Sequence, residues 1–170
     1  MTADKFIESH EGNFTHGRSI NVTRGYFHRT AVKGDTALGE GEYFHNHVVK
    51  ASFYKVIDLD GVIVESVLPT DTEWAVDEWP ENQRSLSYEF TGLNGTPLTS
   101  KQISAIIADI KADSATKGIA DHRLSVAEIA PEKVSGWANH VDVTHAYAIA
   151  GGHTDGISEA EIAKILAGIK

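Results

Sequence analysis

Three separated segments carry side chains whose types suit a metal ion. They are Gly25-Tyr26-Phe27-His28-Arg29-Thr30, Asn139-His140-Val141-Asp142-Val143-Thr144 and Gly151-Gly152-His153-Thr154-Asp155-Gly156. Together they supply imidazole nitrogens and a carboxylate, the donors that zinc accepts. A catalytic zinc site uses three such protein ligands and keeps a fourth position for water. If the segments converge, the chain is a metal hydrolase; if not, it is an acidic α/β domain with several structural histidines. His45 and His47, at i and i+2, would share one face of a strand and form a rival pair, while His122 and His145 are further rivals. A lone histidine is more often structural than a ligand, so the weight lies on the joint pattern. Manganese or cobalt could also occupy a site of two His and one Asp.

Composition narrows the alternatives. The chain has 170 residues, 41% hydrophobic and 23% charged, which suits a single globular domain over 1–170 with a real core. It contains no cysteine, so disulfides and thiolate metal sites are excluded. The formal net charge is -9 and no basic stripe is present, which argues against nucleic acid and anionic membranes as partners. No apolar run approaches the ~20 residues of a membrane span. The first residues lack the basic and apolar regions of a secretory signal.

The elements that must position the candidate ligands follow from periodicity. Residues 22–32 read as a strand ending in a loop, with His28 near its end. Residues 33–42 are rich in glycine and charge and read as a loop. Residues 51–57 and 62–68 read as two strands joined by Asp58-Leu59-Asp60-Gly61, a tight-turn sequence. Residues 69–83, with Pro69, Pro80, Trp74 and Trp79, read as a long surface loop whose tryptophans either anchor it or stack on sugar. Ser85–Phe90 alternates, with Leu86, Tyr88 and Phe90 on one face and Ser85, Ser87 and Glu89 on the other. Residues 100–117 read as an amphipathic helix with a Thr99/Gln102 capping box and Gly118 as its stop. Residues 159–169 read as a second helix capped by Ser158 and Glu161, and a short capped turn begins at Ser125. Residues 1–20 give no clear pattern. The expected class is α/β (α+β), a central mixed β-sheet flanked by helices.

The order of short motifs carries more. His28-Arg29-Thr30 closes a strand, and Ser52-Phe53-Tyr54 leads into the Asp60-Gly61 hairpin. Asp71-Thr72-Glu73-Trp74 is followed by Asn82 and by Ser85-Leu86-Ser87-Tyr88-Glu89. Thr99 and Gln102 start a helix, and the His140 and His153-Thr154-Asp155-Gly156 segments come last. From about Arg24 to Gly156 this order resembles the zinc-dependent N-acetylmuramoyl-L-alanine amidases of phages and bacteria. Their amidase type 2 fold is shared with peptidoglycan recognition proteins. Arg123-Leu-Ser-Val-Ala-Glu-Ile and the His-Thr-Asp spelling are similar to actinophage lysins.

The resemblance implies that His28, His140 and Asp155 bind Zn2+, that Glu89 transfers protons, and that His153 stabilises the developing oxyanion. It implies peptidoglycan as substrate, cut between N-acetylmuramic acid and L-alanine of the stem peptide. The expected protein is a monomeric phage endolysin, held in the host cytoplasm until a holin releases it to the cell wall. The rival is a muropeptide-binding module of the same fold that does not cleave; such members typically lose a zinc ligand, and here all three positions are filled. Four positions depart from the pattern. Gly156 stands where Pro usually follows the third ligand, Asn139 replaces Gly, Phe53-Tyr54 fills the hairpin aromatic position, and Ala75 follows Trp74 where many members have His. Whether Phe53, Tyr54 or Trp74 meets substrate is open at this level.

Overall fold

Alternation along Ser85–Phe90 gives one strand two different faces, and each face meets its own layer. The structure, a computed structural model, describes residues 3–131 and 133–170. In chain order the elements are β1 (Lys5–Phe6), a 3-10 turn (Glu11–Asn13), β2 (Phe14–Thr15), β3 (Arg24–Arg29), α1 (Ala37–Asn46), β4 (Lys55–Ile57) and β5 (Ile63–Glu65). Then come β6 (Thr72–Glu73), α2 (Trp79–Arg84), β7 (Ser85–Phe90), α3 (Ser100–Ala112) and a 3-10 turn (Ser114–Thr116). The chain finishes with α4 (Val126–Ile129), β8 (Gly136–Asn139), α5 (His140–Ala146) and α6 (Glu159–Ile169). The main sheet has six strands in the order β1-β5-β4-β7-β3-β8. Strands β4, β7, β3 and β8 run parallel, β5 returns antiparallel to β4, and β1 lies parallel to β5. Strands β2 and β6 form a small antiparallel pair. The mixed sheet flanked by helices is the class expected from the sequence. No helix among the described residues is long and apolar enough to cross a membrane.

One sheet face is covered by α3 and α6. Leu86, Tyr88, Phe90 and Phe27 bury against Ile103, Ile106, Ile110, Ile162 and Ile165. Both helices start with the anticipated capping boxes, Thr99 with Gln102 and Ser158 with Glu161. The other face is covered only at its two ends. Ala37 and Phe44 of α1 pack on Val56 and Val64, and Val143 of α5 packs with Tyr26, Leu124, Ile129 and Ala138. Between these clusters the ends of β3 and β7 stay accessible, and a cleft opens there.

Several local expectations are corrected. Residues 33–42 are largely helical, not a loop, because α1 docks closely. A Cβ on Gly41 would lie 2.9 Å from Val64 Cγ1, so glycine permits the approach at a propensity cost of about 1 kcal/mol. Thr36 Oγ1 accepts the Gly39 N–H at 3.0 Å and caps the helix. Residues 69–83 are not a long loop either; they hold β6 and most of α2. Pro80 sits in the first turn of α2, where its missing N–H is harmless. The polar residues of α2 are buried with partners: Asn82 Oδ1 accepts the Ala75 and Val76 N–H groups at 3.1 and 2.9 Å. The hairpin strands are shorter than expected, and α3 stops at Ala112 rather than at residue 117. There Asp113 leaves the helix to accept from Lys55 Nζ at 2.6 Å and from the Tyr54 hydroxyl.

Two buried polar networks hold the layers in register. Lys55 reaches both Asp109 oxygens at 3.0 Å, and the Tyr88 hydroxyl donates to Asp109 Oδ2 at 3.1 Å, joining the sheet to α3. On the other face Arg24 Nη1 donates to Glu81 Oε2 at 2.7 Å and to Ile129 O at 2.8 Å. Tyr26 and Tyr147 hydroxyls also donate to Glu81, at 2.6 and 2.8 Å. Arg24 and Glu81 side chains are both 0% exposed, so each charge depends on the other. Glu81→Ala leaves the buried guanidinium without its anion and is expected to lower unfolding free energy by about 3–5 kcal/mol. Urea denaturation checks this, and a loss under about 1 kcal/mol would contradict the assigned role.

Candidate metal centre

Parallel pairing aligns the ends of three strands. His28 pairs with Glu89 across β3 and β7, and Phe27 pairs with Asn139 across β3 and β8. His28 and Glu89 therefore sit at the carboxyl edge of the sheet, pointing to the same face. His140 follows β8 directly and is the first residue of α5. This edge is where parallel sheets commonly carry their sites. Asp155 arrives from the loop between α5 and α6.

The side chains converge. Donor atoms of His28, His140 and Asp155 all lie within 4.8 Å of one another. His140 Nδ1 is 3.0 Å from Asp155 Oδ1, and His28 Nδ1 is 3.4 Å from Asp155 Oδ2. The two imidazole centroids are 4.7 Å apart. Glu89 Oε1 is 4.0 Å from His28 Nδ1. Arg29 N donates to Asp155 Oδ2 at 3.2 Å and fixes one carboxylate oxygen. Asp155 Oδ1, His28 Nε2, His140 Nε2 and Glu89 Oε2 are buried without a hydrogen-bond partner. The chain thus gathers two imidazoles and a carboxylate and leaves several of their buried polar atoms without a partner. That donor set fits a tetrahedral cation such as zinc.

Electrostatics agree with that reading. Burial pushes the His28 pKa down, outweighing the pull of Asp155, a direction that favours the neutral ring a metal ligand needs. Burial alone would raise the Asp155 pKa, but contacts with His140 and His28 win and hold it well below the carboxylate range. Glu89 moves the other way: burial, then the charges of Asp155, Glu40 and Asp35, raise its pKa well above the ordinary value. One carboxylate is thus kept ionised and its neighbour is made basic.

The group lies in a cleft of about 1240 Å³, lined also by Phe53, Trp74, Asp77, Asn94 and His153. His153 is 68% exposed, and its ring stacks on His140 with centroids 4.9 Å apart. Phe53 and Trp74 reach the cleft, whereas Tyr54 turns to the opposite face and bonds Asp113. Trp79 opens α2, is half exposed and does not line the cleft. The rival histidines stand apart. His45 and His47 lie at the end of α1, not on a strand, and face the Glu8 and Tyr43 carbonyls at 2.7 and 2.8 Å. His122 pairs with Glu128 at 3.0 Å, and His145 is exposed in the last turn of α5. Three acidic residues of the cleft carried no signal in the sequence: Asp77, 3.8 Å from His140 Nε2, and the pair Asp35 and Glu40. They sit in segments read as loops, so no periodicity aimed them at the site.

Neither the family models nor the curated proteins compared with the sequence match it. Solved structures match its fold. The hydrolase AmiA of Staphylococcus aureus, in complex with its ligand, superposes with a TM-score of 0.69 at 16% identity, over 99% of this chain and 84% of that one. A mutant endolysin from Bacillus subtilis gives 0.64 at 14% identity, over 99% and 100%. The endolysin N-acetylmuramoyl-L-alanine amidase LysCS from Clostridium intestinale gives 0.58 at 15% identity, over 97% of each chain. The chain has the amidase type 2 fold that these proteins share, as the sequence resemblance implied.

The cleft wall also titrates. Burial, then the hydrogen bond and charge of Asp35, raise the Glu40 pKa to about 8. A carboxyl raised on folding binds its proton more tightly in the native state. Stability therefore falls as pH rises from the unfolded value, about 4.3, toward the folded one. Glu40→Gln is expected to flatten that decline, read as Tm against pH between 4.5 and 8. An unchanged slope would remove Glu40 as its source.

Proposed function

We propose that the chain is a zinc-dependent N-acetylmuramoyl-L-alanine amidase, a monomeric single catalytic domain that hydrolyses peptidoglycan. The observation that carries this reading is the meeting of His28, His140 and Asp155 beside Glu89, at the carboxyl edge of a sheet whose fold is shared with amidases. The endolysins among the structural neighbours support the endolysin reading; as a phage lysin it would reach the wall after holin-dependent release.

His28, His140 and Asp155 would hold the metal. Zinc bound there would supply a water of lowered pKa and Lewis-acid polarisation of the amide carbonyl. Glu89 accepts the proton of the attacking water and returns it to the departing L-alanine nitrogen. Its raised pKa makes it a stronger proton acceptor than an ordinary carboxylate. The bond that breaks joins the lactyl carbonyl of N-acetylmuramic acid to the stem peptide. His153 donates to the carbonyl oxygen as it gains charge; its stacking on His140 and its exposure to the cleft support this role. Such a donor is worth roughly 3–4 kcal/mol in comparable sites. Phe53 and Trp74 offer apolar walls for the sugar and peptide.

Mass spectrometry of purified peptidoglycan digested with the protein tests the reaction. Release of intact stem peptides bearing free L-alanine amines is expected, lost with chelator and regained with zinc. No cleavage across several wall types by zinc-loaded protein would instead favour a muropeptide-binding module. Ala at His28, His140 or Asp155 is expected to abolish stoichiometric zinc; its retention in all three variants would sink the ligand assignment. Glu89→Gln is expected to keep zinc and lose roughly 10²–10⁴-fold in turnover. His153→Ala is expected to lose about 10²–10³-fold in kcat.

A further inference from the structure

The segment that delivers Asp155 is gripped at both ends by side chains from one short region, the last residue of β8 and the middle of α5. At one end, Thr144 Oγ1 donates to the His153 carbonyl at 2.7 Å. At the other, the Asn139 amide meets both polar groups of the Ile157 backbone. Nδ2 donates to Ile157 O at 2.9 Å, and Oδ1 accepts the Ile157 N–H at 3.0 Å. Each gripping side chain lies against a glycine of the segment. A Cβ on Gly152 would fall 2.8 Å from Thr144 Cγ2, and one on Gly156 would fall 2.5 Å from Asn139 Cγ. Gly156 also adopts φ +152, which L residues rarely take. Asn139 is 5% and Thr144 7% exposed, so neither grip competes with bulk water.

The backbone on either side of His140 is fixed as well. Asn139 N donates to Asp142 Oδ2 at 2.7 Å, which sets the first turn of α5 and with it the His140 direction. Val141 N donates to Asp155 O at 3.2 Å. The two departures noted in the sequence, Asn139 and Gly156, are therefore two halves of one contact. The larger residue on β8 fills the space that the glycine leaves.

We propose that Asn139 and Thr144 are positioning residues that clamp the His153–Ile157 segment onto the β8–α5 junction. The clamp holds the Asp155 carboxylate at the His28–His140 pair before any metal arrives. This rests on the reading of those three residues as the metal site. Neither residue lines the cleft, so neither touches substrate. Groups that orient metal ligands typically change metal affinity 10–100-fold when removed.

The test is zinc affinity by competition with a chromogenic chelator, with the visible spectrum of the cobalt-loaded protein as a second readout. It uses the full chain and the variants Thr144→Val, Thr144→Ser and Asn139→Ala. Circular dichroism of the metal-free proteins establishes that each is folded. Thr144→Val removes the hydroxyl at nearly constant volume, so it stands as the test even if Asn139→Ala does not fold. The expected result is a roughly 10–100-fold rise in zinc Kd for Thr144→Val and Asn139→Ala, with an altered cobalt spectrum. Thr144→Ser, which keeps the donor, should restore both readouts. Amide exchange at Ile157 in metal-free protein should also speed up in Asn139→Ala. If the full chain binds zinc and the Val variant binds it equally well, the clamp is wrong and the metal site stands. The same holds if Ser weakens binding as much as Val. If the full chain binds no zinc, the metal reading falls and the clamp falls with it.

Discussion

Everything at the candidate centre depends on the parallel pairing of β3 with β7 and β8. In a parallel sheet the strand ends lie on one edge, and paired residues point to the same side. Pairing His28 with Glu89 therefore places a proposed ligand and a proposed base on one face. Pairing Phe27 with Asn139 places His140 one step beyond the neighbouring strand. A slip of one residue would send His28 into the apolar layer under α3 and α6.

That register is held by polar groups as well as by apolar packing. Arg24 and Tyr26, on the same strand and face as His28, are bound by Glu81 from α2. On the far face Lys55 and Tyr88 are bound by Asp109 from α3. Buried ion pairs contribute little net stability, but a misplaced strand would leave their charges unpaired. They act chiefly against wrong registers. The sheet edge can then carry unsatisfied atoms of His28, His140, Glu89 and Asp155.

The cleft follows from incomplete cover. Helices α3 and α6 bury one face throughout, while α1 and the α4–α5 pair cover only the ends of the other. The uncovered middle is where Glu89 lies, within a strand whose other side chains are fully buried. Burial and the charges of Asp155, Glu40 and Asp35 raise its pKa, while the two imidazoles a few ångströms away lower that of Asp155 against the effect of burial. Two carboxylates in one pocket thereby acquire opposite properties.

Much of this was legible in the sequence where the signal is local. The alternation of Ser85–Phe90, the Asp-Gly turn and the capping boxes at Thr99 and Ser158 each specify an element from a few neighbouring residues. The order of the His28, His140 and Asp155 motifs singled out the residues that the structure brings together. What the sequence could not determine depends on partners far along the chain. Glycines at 39 and 41 argue against a helix until Val64 and Ile7 come close enough to Gly41 to require its missing side chain. The polar, proline-containing stretch 69–83 looks like a loop until Arg24, Ser19 and Thr15 satisfy its buried groups. The α3 helix ends early because Asp113 is drawn to Lys55 and Tyr54, more than fifty residues away. The sequence by itself determined which chemistry was available and which strands and helices could carry it. Only the tertiary structure decided that the three donors meet and which acidic residues surround them. Long-range pairing brings strand ends and loops together, and no local pattern encodes that distance.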